Sequence, residues 1–185
     1  MQLLWRDVKI GNSVINTSLT EAETLELQRL AEGADVLEIG SAYGYSTVAI
    51  GLVARSIVAV DPHLTHGSLG DLARNLRDNG ITGKVDIRVG RSQDVLPQIH
   101  EDGQTFDLVW IDGDHTADVV EHDIGWARRL LRYNADGVGI IACHDYGEVT
   151  CPGVRAAIDK VYCGPGKLTD TLSVHYEFVG IGSPA

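Results

Sequence analysis

The sequence predicts an α/β protein with a doubly wound, Rossmann-like sheet of about seven strands and helices on both faces. Five short runs rich in leucine and β-branched residues alternate with longer helical segments, at residues 35–39, 56–60, 85–89, 106–111 and 138–142. Runs that are apolar at nearly every residue are typical of parallel strands covered on both faces. The order of runs and helical segments therefore predicts a mostly parallel sheet.

The helical segments between these runs are predicted at residues 44–54, 68–79, 92–100, 117–131 and 152–162. Before the first run, Ser18 and Glu21 predict a capping box, with Thr20 and Glu23 as a second register, and a helix to about Glu32. The stretch from Lys167 to Ile181 has no room for a helix between its two short runs, which predicts an antiparallel C-terminal hairpin at the sheet edge.

The length of 185 residues fits one domain. Its predicted parts are an N-terminal segment and helix (1–33), a cofactor-binding core (34–163) and the C-terminal hairpin (164–185).

A net charge of -11 opposes binding to nucleic acid and to anionic membrane surfaces. The N-terminus lacks the blocks of a signal peptide, so a cytoplasmic protein is expected. The three cysteines form no CxxC pair and are expected to be reduced.

Candidate functional residues follow the strands, because ligands of such sheets bind beyond the carboxyl ends of the strands. Gly40 and Gly44 after the first run allow a tight turn into the next helix. Their spacing differs from the GxGxxG pattern of dinucleotide sites, which disfavours a nicotinamide cofactor. Asp61 after the second run could accept both hydroxyls of a ribose, or could cap the turn before Pro62.

Five motifs then follow five successive strands: Leu37-Glu-Ile-Gly40 with Gly44-Tyr-Ser46, Asp61, Gly90-Arg-Ser-Gln-Asp94, Ile111-Asp-Gly-Asp-His115 and His144-Asp-Tyr146. Together they resemble the class I methyltransferases. More narrowly, they are similar to the metal-dependent branch with catechol-type and macrocin-type O-methyltransferases and cephalosporin-hydroxylase-like proteins. The similarity runs from about Val36 to Ala157.

The resemblance implies that the cofactor is S-adenosylmethionine. Glu38 and Gly40 would line the pocket for its amino-acid part, Ser46 would hold its carboxylate and Asp61 its ribose. Ser92 and Gln93 match the place where the family contacts adenine, although Ser92 could equally be a helix N-cap. The implied cofactor-binding set is Glu38, Gly40, Ser41, Ala42, Tyr43, Gly44, Ser46, Asp61, Gly90, Ser92, Gln93 and Asp112.

The resemblance also implies a divalent metal site at Asp112, His144 and Asp145, with Mg²⁺ as the expected ion. His144 departs from the family, which has an amide or an acidic pair there, so the preferred metal stays open. The alternative for this group is a hydrogen-bonded acidic cluster without a metal. His115, three residues after Asp112, matches the histidine base of macrocin-type relatives; the alternative is an ordinary surface residue at a helix start.

The expected function is methyl transfer to a hydroxyl of a small molecule, such as a phenol, catechol or sugar diol, with His115 and Asp112 as catalytic residues. The acceptor pocket is expected to be walled by residues 1–17, 63–70 and 146–152. The alternatives are a non-catalytic S-adenosylmethionine-binding protein and, on a similar sheet, a nicotinamide-dependent oxidoreductase. The resembling families often self-associate, which leaves a homo-oligomer open.

Overall fold

The computed structural model describes residues 5–135, 137–162, 167–168 and 173–178, which contain nine strands and six α-helices. The strands are β1 (Arg6–Ile10), β2 (Ser13–Thr17), β3 (Asp35–Ile39), β4 (Ser56–Asp61), β5 (Val85–Val89), β6 (Leu108–Ile111), β7 (Val138–Cys143), β8 (Lys167–Leu168) and β9 (Ser173–Phe178). The helices are α1 (Glu21–Ala31), α2 (Tyr45–Gly51), α3 (Ser68–Asp78), α4 (Ser92–Glu101), α5 (Ala117–Leu130) and α6 (Pro152–Val161).

Seven strands form one sheet in the order β5-β4-β3-β6-β7-β9-β8. The strands β3 to β7 are parallel, whereas β9 pairs antiparallel with both β7 and β8. The chain runs outward from β3 to β5 and then returns to place β6 on the other side of β3. This reversal of direction between β3 and β6 is the point at which doubly wound sheets bind ligands.

The predicted parallel strands and the five helices that follow them are confirmed, with ends that differ by a few residues at most. The antiparallel pairing at the C-terminal edge is present in the described part of the stretch, while residues 169–172 and 179–181 of the predicted hairpin lie outside the described residues. The prediction missed a separate N-terminal hairpin, in which β1 pairs antiparallel with β2. Its five-residue strands lie in a segment for which we predicted no strand.

Two apolar clusters cover the two faces of the sheet. Leu27 of α1, Ile50 of α2 and Leu72 of α3 belong to one cluster, and helices α4, α5 and α6 contribute to the other. Successive residues of β6 alternate between the clusters, since Trp110 lies in the first and Ile111 in the second. Strands that are buried on both faces explain the continuous apolar runs in the sequence.

Helix α1 starts two residues later than the first capping signal indicates. Thr20, and not Ser18, is the N-cap, and it forms the capping box with Glu23. The Thr20 Oγ accepts from the Glu23 backbone N–H at 3.2 Å, and a Glu23 carboxylate oxygen accepts from the Thr20 backbone N–H at 2.7 Å. The Ser18 register was therefore wrong and the Thr20 register was right.

Within the described part of the chain, none of the helices combines the length and the apolar character that crossing a bilayer requires.

Candidate functional site

A cavity of about 670 Å³ opens beyond the carboxyl ends of β3, β4 and β6. It brings together most of the residues that the sequence predicts for the site, although they come from separate stretches of the chain. The predicted residues in its wall are Gly40, Ser41, Ala42, Tyr43, Ser46, Asp61, Gly90, Ser92, Gln93, Asp112, His115 and Asp145. Glu38, Gly44 and His144 are not in this wall and lie behind it.

The turn after β3 depends on Gly40, which has a φ of 95°. A Cβ atom at this position would overlap the backbone carbonyl of Asp112, so only glycine allows the two strand ends to come this close. The Gly40 N–H donates to the carbonyl of Val60 at 2.8 Å. Gly40 therefore joins the ends of β3, β4 and β6, from which the cavity is built.

Asp61 at the end of β4 is held in place by two backbone groups. Its Oδ2 accepts from the Ala42 N–H at 2.9 Å and its Oδ1 from the His63 N–H at 2.6 Å. Ala42 and His63 both have positive φ angles, of 43° and 48°. Because each carboxylate oxygen has a further lone pair, Asp61 can still accept hydrogen bonds from a ligand in the cavity.

Glu38 is fully buried behind the cavity wall. Its two oxygens accept from Ser46 Oγ at 2.5 Å and from Thr47 Oγ1 at 2.6 Å. Burial raises the pKa of Glu38 to about 8, with a smaller contribution from nearby Asp112 and Asp61. Glu38 thus orients Ser46, which does line the cavity, and its raised pKa favours the neutral carboxyl at neutral pH in the cofactor-free protein.

Glu38→Gln should stabilise the cofactor-free protein at neutral pH. The folded pKa lies above the unfolded value, so the wild type loses stability as the pH rises from about 4.5 to about 8, when only the unfolded chain ionises. The variant lacks this loss, so its free energy of unfolding at pH 8 should exceed that of the wild type by on the order of a few kcal/mol. Urea unfolding of both proteins between about pH 4.5 and about pH 8 measures this difference. If the free energies of unfolding of the two proteins change in parallel with pH, the idea of a buried neutral carboxyl is contradicted.

Ser92 and Gln93 stand at the first turn of α4 and line the cavity. The alternative prediction that Ser92 is the helix N-cap is wrong. The N-cap is Arg91, which makes no side-chain cap hydrogen bond. Ser92 is the first helical residue, and its Oγ lies 3.4 Å from the Gln93 amide oxygen. Both side chains are therefore placed where a ligand in the cavity can contact them.

The predicted metal residues meet at the ends of β6 and β7. The His144 Nδ1 lies 3.2 Å from Asp112 Oδ1 and 3.1 Å from Asp145 Oδ1. One possible ligand atom from each of the three residues falls within 4.8 Å of the other two. The His144 ring nitrogens and Asp145 Oδ1 are buried without a hydrogen-bond partner of good geometry, and of the two nitrogens Nδ1 is the one beside both aspartates.

The carboxylates and imidazoles of this group shift one another's pKa values. Burial opposes ionisation of His144, but Asp112, Asp145 and Glu23 together raise its pKa well above 6.5. Burial raises the pKa of Asp112. Burial has the same tendency at Asp145, but hydrogen bonds to His115 and His144 hold its pKa well below the usual range. Asp145 also has a positive φ of 59°, a conformation that aspartate tolerates better than most residues.

His115 precedes α5 and lies 2.9 Å, through its Nε2, from Asp145 Oδ2. Its side chain is 43% exposed and belongs to the cavity wall. The hydrogen bond to Asp145 raises the pKa of His115 above 6.5. Cys151 completes a second possible cation group with these two residues. Asp145 therefore faces His144 with one oxygen and His115 with the other.

Several other polar or reactive side chains lie outside the cavity wall. His122 Nδ1 contacts Asp123 Oδ1 at 3.1 Å on α5, and neither residue belongs to the wall. Cys143 and Cys151 are free and buried, in accord with reduced thiols, and Cys163 lies outside the described residues. Burial raises the pKa of Cys143 to about 12, which favours the protonated thiol at neutral pH.

Two of the three expected acceptor walls line the cavity. The N-terminal segment contributes Trp5 and Thr17, and the loop after β4 contributes Leu64 and Thr65. Residues 146–152 are not part of this wall. Sequence reasoning also missed Glu23, whose Oε1 lies 3.4 Å from His144 Nε2. The capping box was the only signal at Glu23, and it indicates a helix start and not a site.

The chain is similar to known O-methyltransferases. It is 31% identical over 130 residues to the catechol O-methyltransferase of Niastella koreensis, covering 66% of this chain and 56% of that protein. It is 35% identical over 103 residues to the catechol O-methyltransferase of Mycobacterium tuberculosis, covering 54% and 44%. The chain thus spans about half the length of these relatives.

Among solved structures, the fold matches an O-methyltransferase from Streptomyces achromogenes that is involved in tomaymycin synthesis and was crystallised with S-adenosylmethionine. The TM-score is 0.69 at 21% identity, and the match covers 88% of this chain and 82% of the other. The family model described as "Methyltransferase domain" matches residues 37–146, which is more than half of the chain. The resemblance to methyltransferases is confirmed, and the chain belongs to this methyltransferase family.

Proposed function

We propose that the protein transfers the methyl group of S-adenosylmethionine to a hydroxyl of a small molecule with the assistance of a divalent cation. One observation carries this proposal: a single cavity is lined by most of the predicted cofactor residues together with Asp112, Asp145 and His115. A methyl donor and a group that activates an acceptor hydroxyl must lie side by side for transfer. Membership of the methyltransferase family supports the same chemistry.

The cofactor residues are suited to the parts of S-adenosylmethionine. Asp61 accepts hydrogen bonds from the ribose hydroxyls, and the turn at Gly40 lets the amino-acid part approach the backbone. Ser92 and Gln93 offer a hydroxyl and an amide to the edge of the adenine. The carboxylates in the wall, Asp61, Asp114 and Asp145, also favour a cationic sulfonium over an anionic ligand.

The residues of the predicted metal site fit a divalent cation. Asp112 and Asp145 supply the oxygen ligands that Mg²⁺ prefers, and His144 supplies an imidazole that Mn²⁺ also accepts. The group of His115, Asp145 and Cys151 contains a thiol, a ligand type that Mg²⁺ does not favour. When bound, the cation supplies a lower pKa for the acceptor hydroxyl and a fixed position for it.

His115 is the proton acceptor in this mechanism. Its Nε2 is hydrogen-bonded to Asp145, so Nδ1 is the nitrogen that takes the proton from the acceptor hydroxyl. Asp145 fixes the ring orientation and stabilises the imidazolium that forms. The acceptor oxygen then bonds to the methyl carbon as the carbon–sulfur bond breaks, and S-adenosylhomocysteine leaves as a neutral sulfide. Trp5 and Leu64 give the acceptor side an apolar wall.

The acceptor class follows from the same geometry. A catechol, a phenol or a sugar diol presents a hydroxyl to the cation, and a vicinal diol presents two. Both catechol O-methyltransferases described above act on such a compound by name. Three further statements stay predictions: that the protein is cytoplasmic, that it acts on small molecules and not on nucleic acid or membranes, and that it self-associates.

Methyl transfer with a panel of catechols, phenols and sugars tests the proposal. We expect turnover with Mg²⁺ for at least one vicinal diol and a loss of turnover with EDTA that added Mg²⁺ restores. Calorimetry with S-adenosylhomocysteine measures cofactor binding separately. Cofactor binding without any methyl transfer would favour the non-catalytic alternative, and a thermal shift with NAD alone would favour the oxidoreductase. Full activity in metal-free buffer would contradict the cation site.

A further inference from the structure

Glu23 of α1 connects the start of a helix to the proposed cation site. Its carboxylate is buried, with a side chain that is 3% exposed. One oxygen, Oε2, accepts hydrogen bonds from the backbone N–H of Thr20 at 2.7 Å and from the Thr20 hydroxyl at 2.8 Å. The other oxygen, Oε1, lies 3.4 Å from His144 Nε2. The two oxygens thus serve two different partners.

The sheet explains why a residue of α1 reaches His144. Side chains alternate between the two faces, and Trp110 of β6 and Ala142 of β7 belong to the cluster that α1 covers. His144 follows β7 in the same alternation, and its ring lies 5.8 Å from that of Trp110. The imidazole is therefore held between α1 on one side and the strand ends on the other.

The two ring nitrogens of His144 face different carboxylates. Nδ1 faces Asp112 at 3.2 Å and Asp145 at 3.1 Å, on the side of the cation group. Nε2 faces Glu23, away from that group. A histidine that ligates a metal through one nitrogen carries its proton on the other, and a carboxylate beside that second nitrogen fixes the ring and makes it a better ligand.

We propose that Glu23 is a positioning residue that keeps the proton of His144 on Nε2 and thereby presents Nδ1 to the divalent cation. This inference rests on the proposed function, since it assigns a partner to a ligand of the proposed cation site. It also gives the N-terminal helix a role in the site, because the carboxylate that caps α1 is the one that orients His144.

An amide cannot replace the carboxylate in both tasks. A carboxylate accepts hydrogen bonds through both oxygens, whereas a glutamine has one acceptor oxygen and one donor NH₂ group. If the glutamine oxygen caps the Thr20 N–H, its NH₂ group faces His144 Nε2 and favours the tautomer with the proton on Nδ1. If the oxygen faces His144, the NH₂ group opposes the Thr20 N–H and the capping box is lost.

The variants Glu23→Gln and Thr20→Ala separate these two tasks. Thr20→Ala removes the hydroxyl that accepts from the Glu23 N–H and donates to Glu23 Oε2, but it keeps the Thr20 backbone N–H that holds the same oxygen and the carboxylate that faces His144. We expect Glu23→Gln to raise the Kd for Mg²⁺, measured by calorimetry, by about 10- to 100-fold. Thr20→Ala should change that Kd by less than about twofold, although it lowers the melting temperature.

Nitrogen NMR of the Mg²⁺-loaded protein shows which ring nitrogen of His144 carries the proton. A loss of stability alone does not change this result. The wild type and Thr20→Ala should both show a protonated Nε2, and Glu23→Gln should not. Equal Mg²⁺ affinity in the wild type and Glu23→Gln overturns the inference and leaves the cation site standing. Equal weakening by both variants also overturns it, since the effect would then come from the helix cap. A wild type that binds no divalent cation overturns the proposed site and this inference together.

Discussion

Asp112→Asn should reduce methyl transfer by about 10²- to 10³-fold, because a bound cation contributes several kcal/mol to the transition state. The substitution keeps the size of the side chain and removes the negative charge that faces His144 Nδ1 at 3.2 Å. The Kd for Mg²⁺ should rise by about 100-fold or more, since an amide is a weaker ligand than a carboxylate. Steady-state assays at several Mg²⁺ concentrations measure both effects.

The matched control is Asp118→Asn on α5, which removes the same charge from an exposed residue outside the cavity wall. Asp118→Asn should leave the activity and the Mg²⁺ affinity within about twofold of the wild type. Binding of S-adenosylhomocysteine shows whether Asp112→Asn also disturbs the cofactor side. Retention of wild-type activity by Asp112→Asn, or equal losses in both variants, would count against a cation at this place.

The parallel core was predictable because its signals are local. Each strand is a short apolar run, each following helix begins near a recognisable boundary, and the chemistry-bearing residues stand directly after the strands. The order of strands in the sheet then brings Gly40, Asp61 and Asp112 to one edge. Residues far apart in sequence could therefore be assigned to one site from the sequence alone.

The parts that were missed depend on contacts that no local pattern contains. The β1–β2 hairpin has strands of only five residues, and each is mixed in polarity. Glu23 carries an ordinary helix-start signal, and its contact with His144 becomes visible only when α1 lies on the sheet. Ser92 was considered as an N-cap because of its residue type, but the turn begins one residue earlier at Arg91. Tertiary packing decided all three.

The position of His115 likewise needed the structure. The sequence places it three residues after Asp112, which fits a base or a surface histidine equally well. In the fold, its Nε2 lies 2.9 Å from Asp145 while its ring borders the cavity. A carboxylate that orients a histidine at the edge of a cavity supports the proposal that His115 accepts the proton.

His115→Gln should therefore lower kcat by about 10²- to 10⁴-fold, the usual contribution of a general base, and leave the Kd for S-adenosylhomocysteine within about threefold. The wild-type rate should rise with pH as His115 loses its proton, with the acid limb above pH 6.5, because the hydrogen bond to Asp145 raises the pKa of His115. The variant should lack this limb.

His122→Gln is the matched control, since this half-exposed histidine of α5 contacts Asp123 and stays outside the cavity wall. It should keep both the rate and the pH profile of the wild type. If His115→Gln retains the acid limb with a reduced rate, another group accepts the proton and His115 only shapes the wall. If the variant keeps the full rate, activation by the cation suffices, because a strongly acidified hydroxyl can give its proton to water.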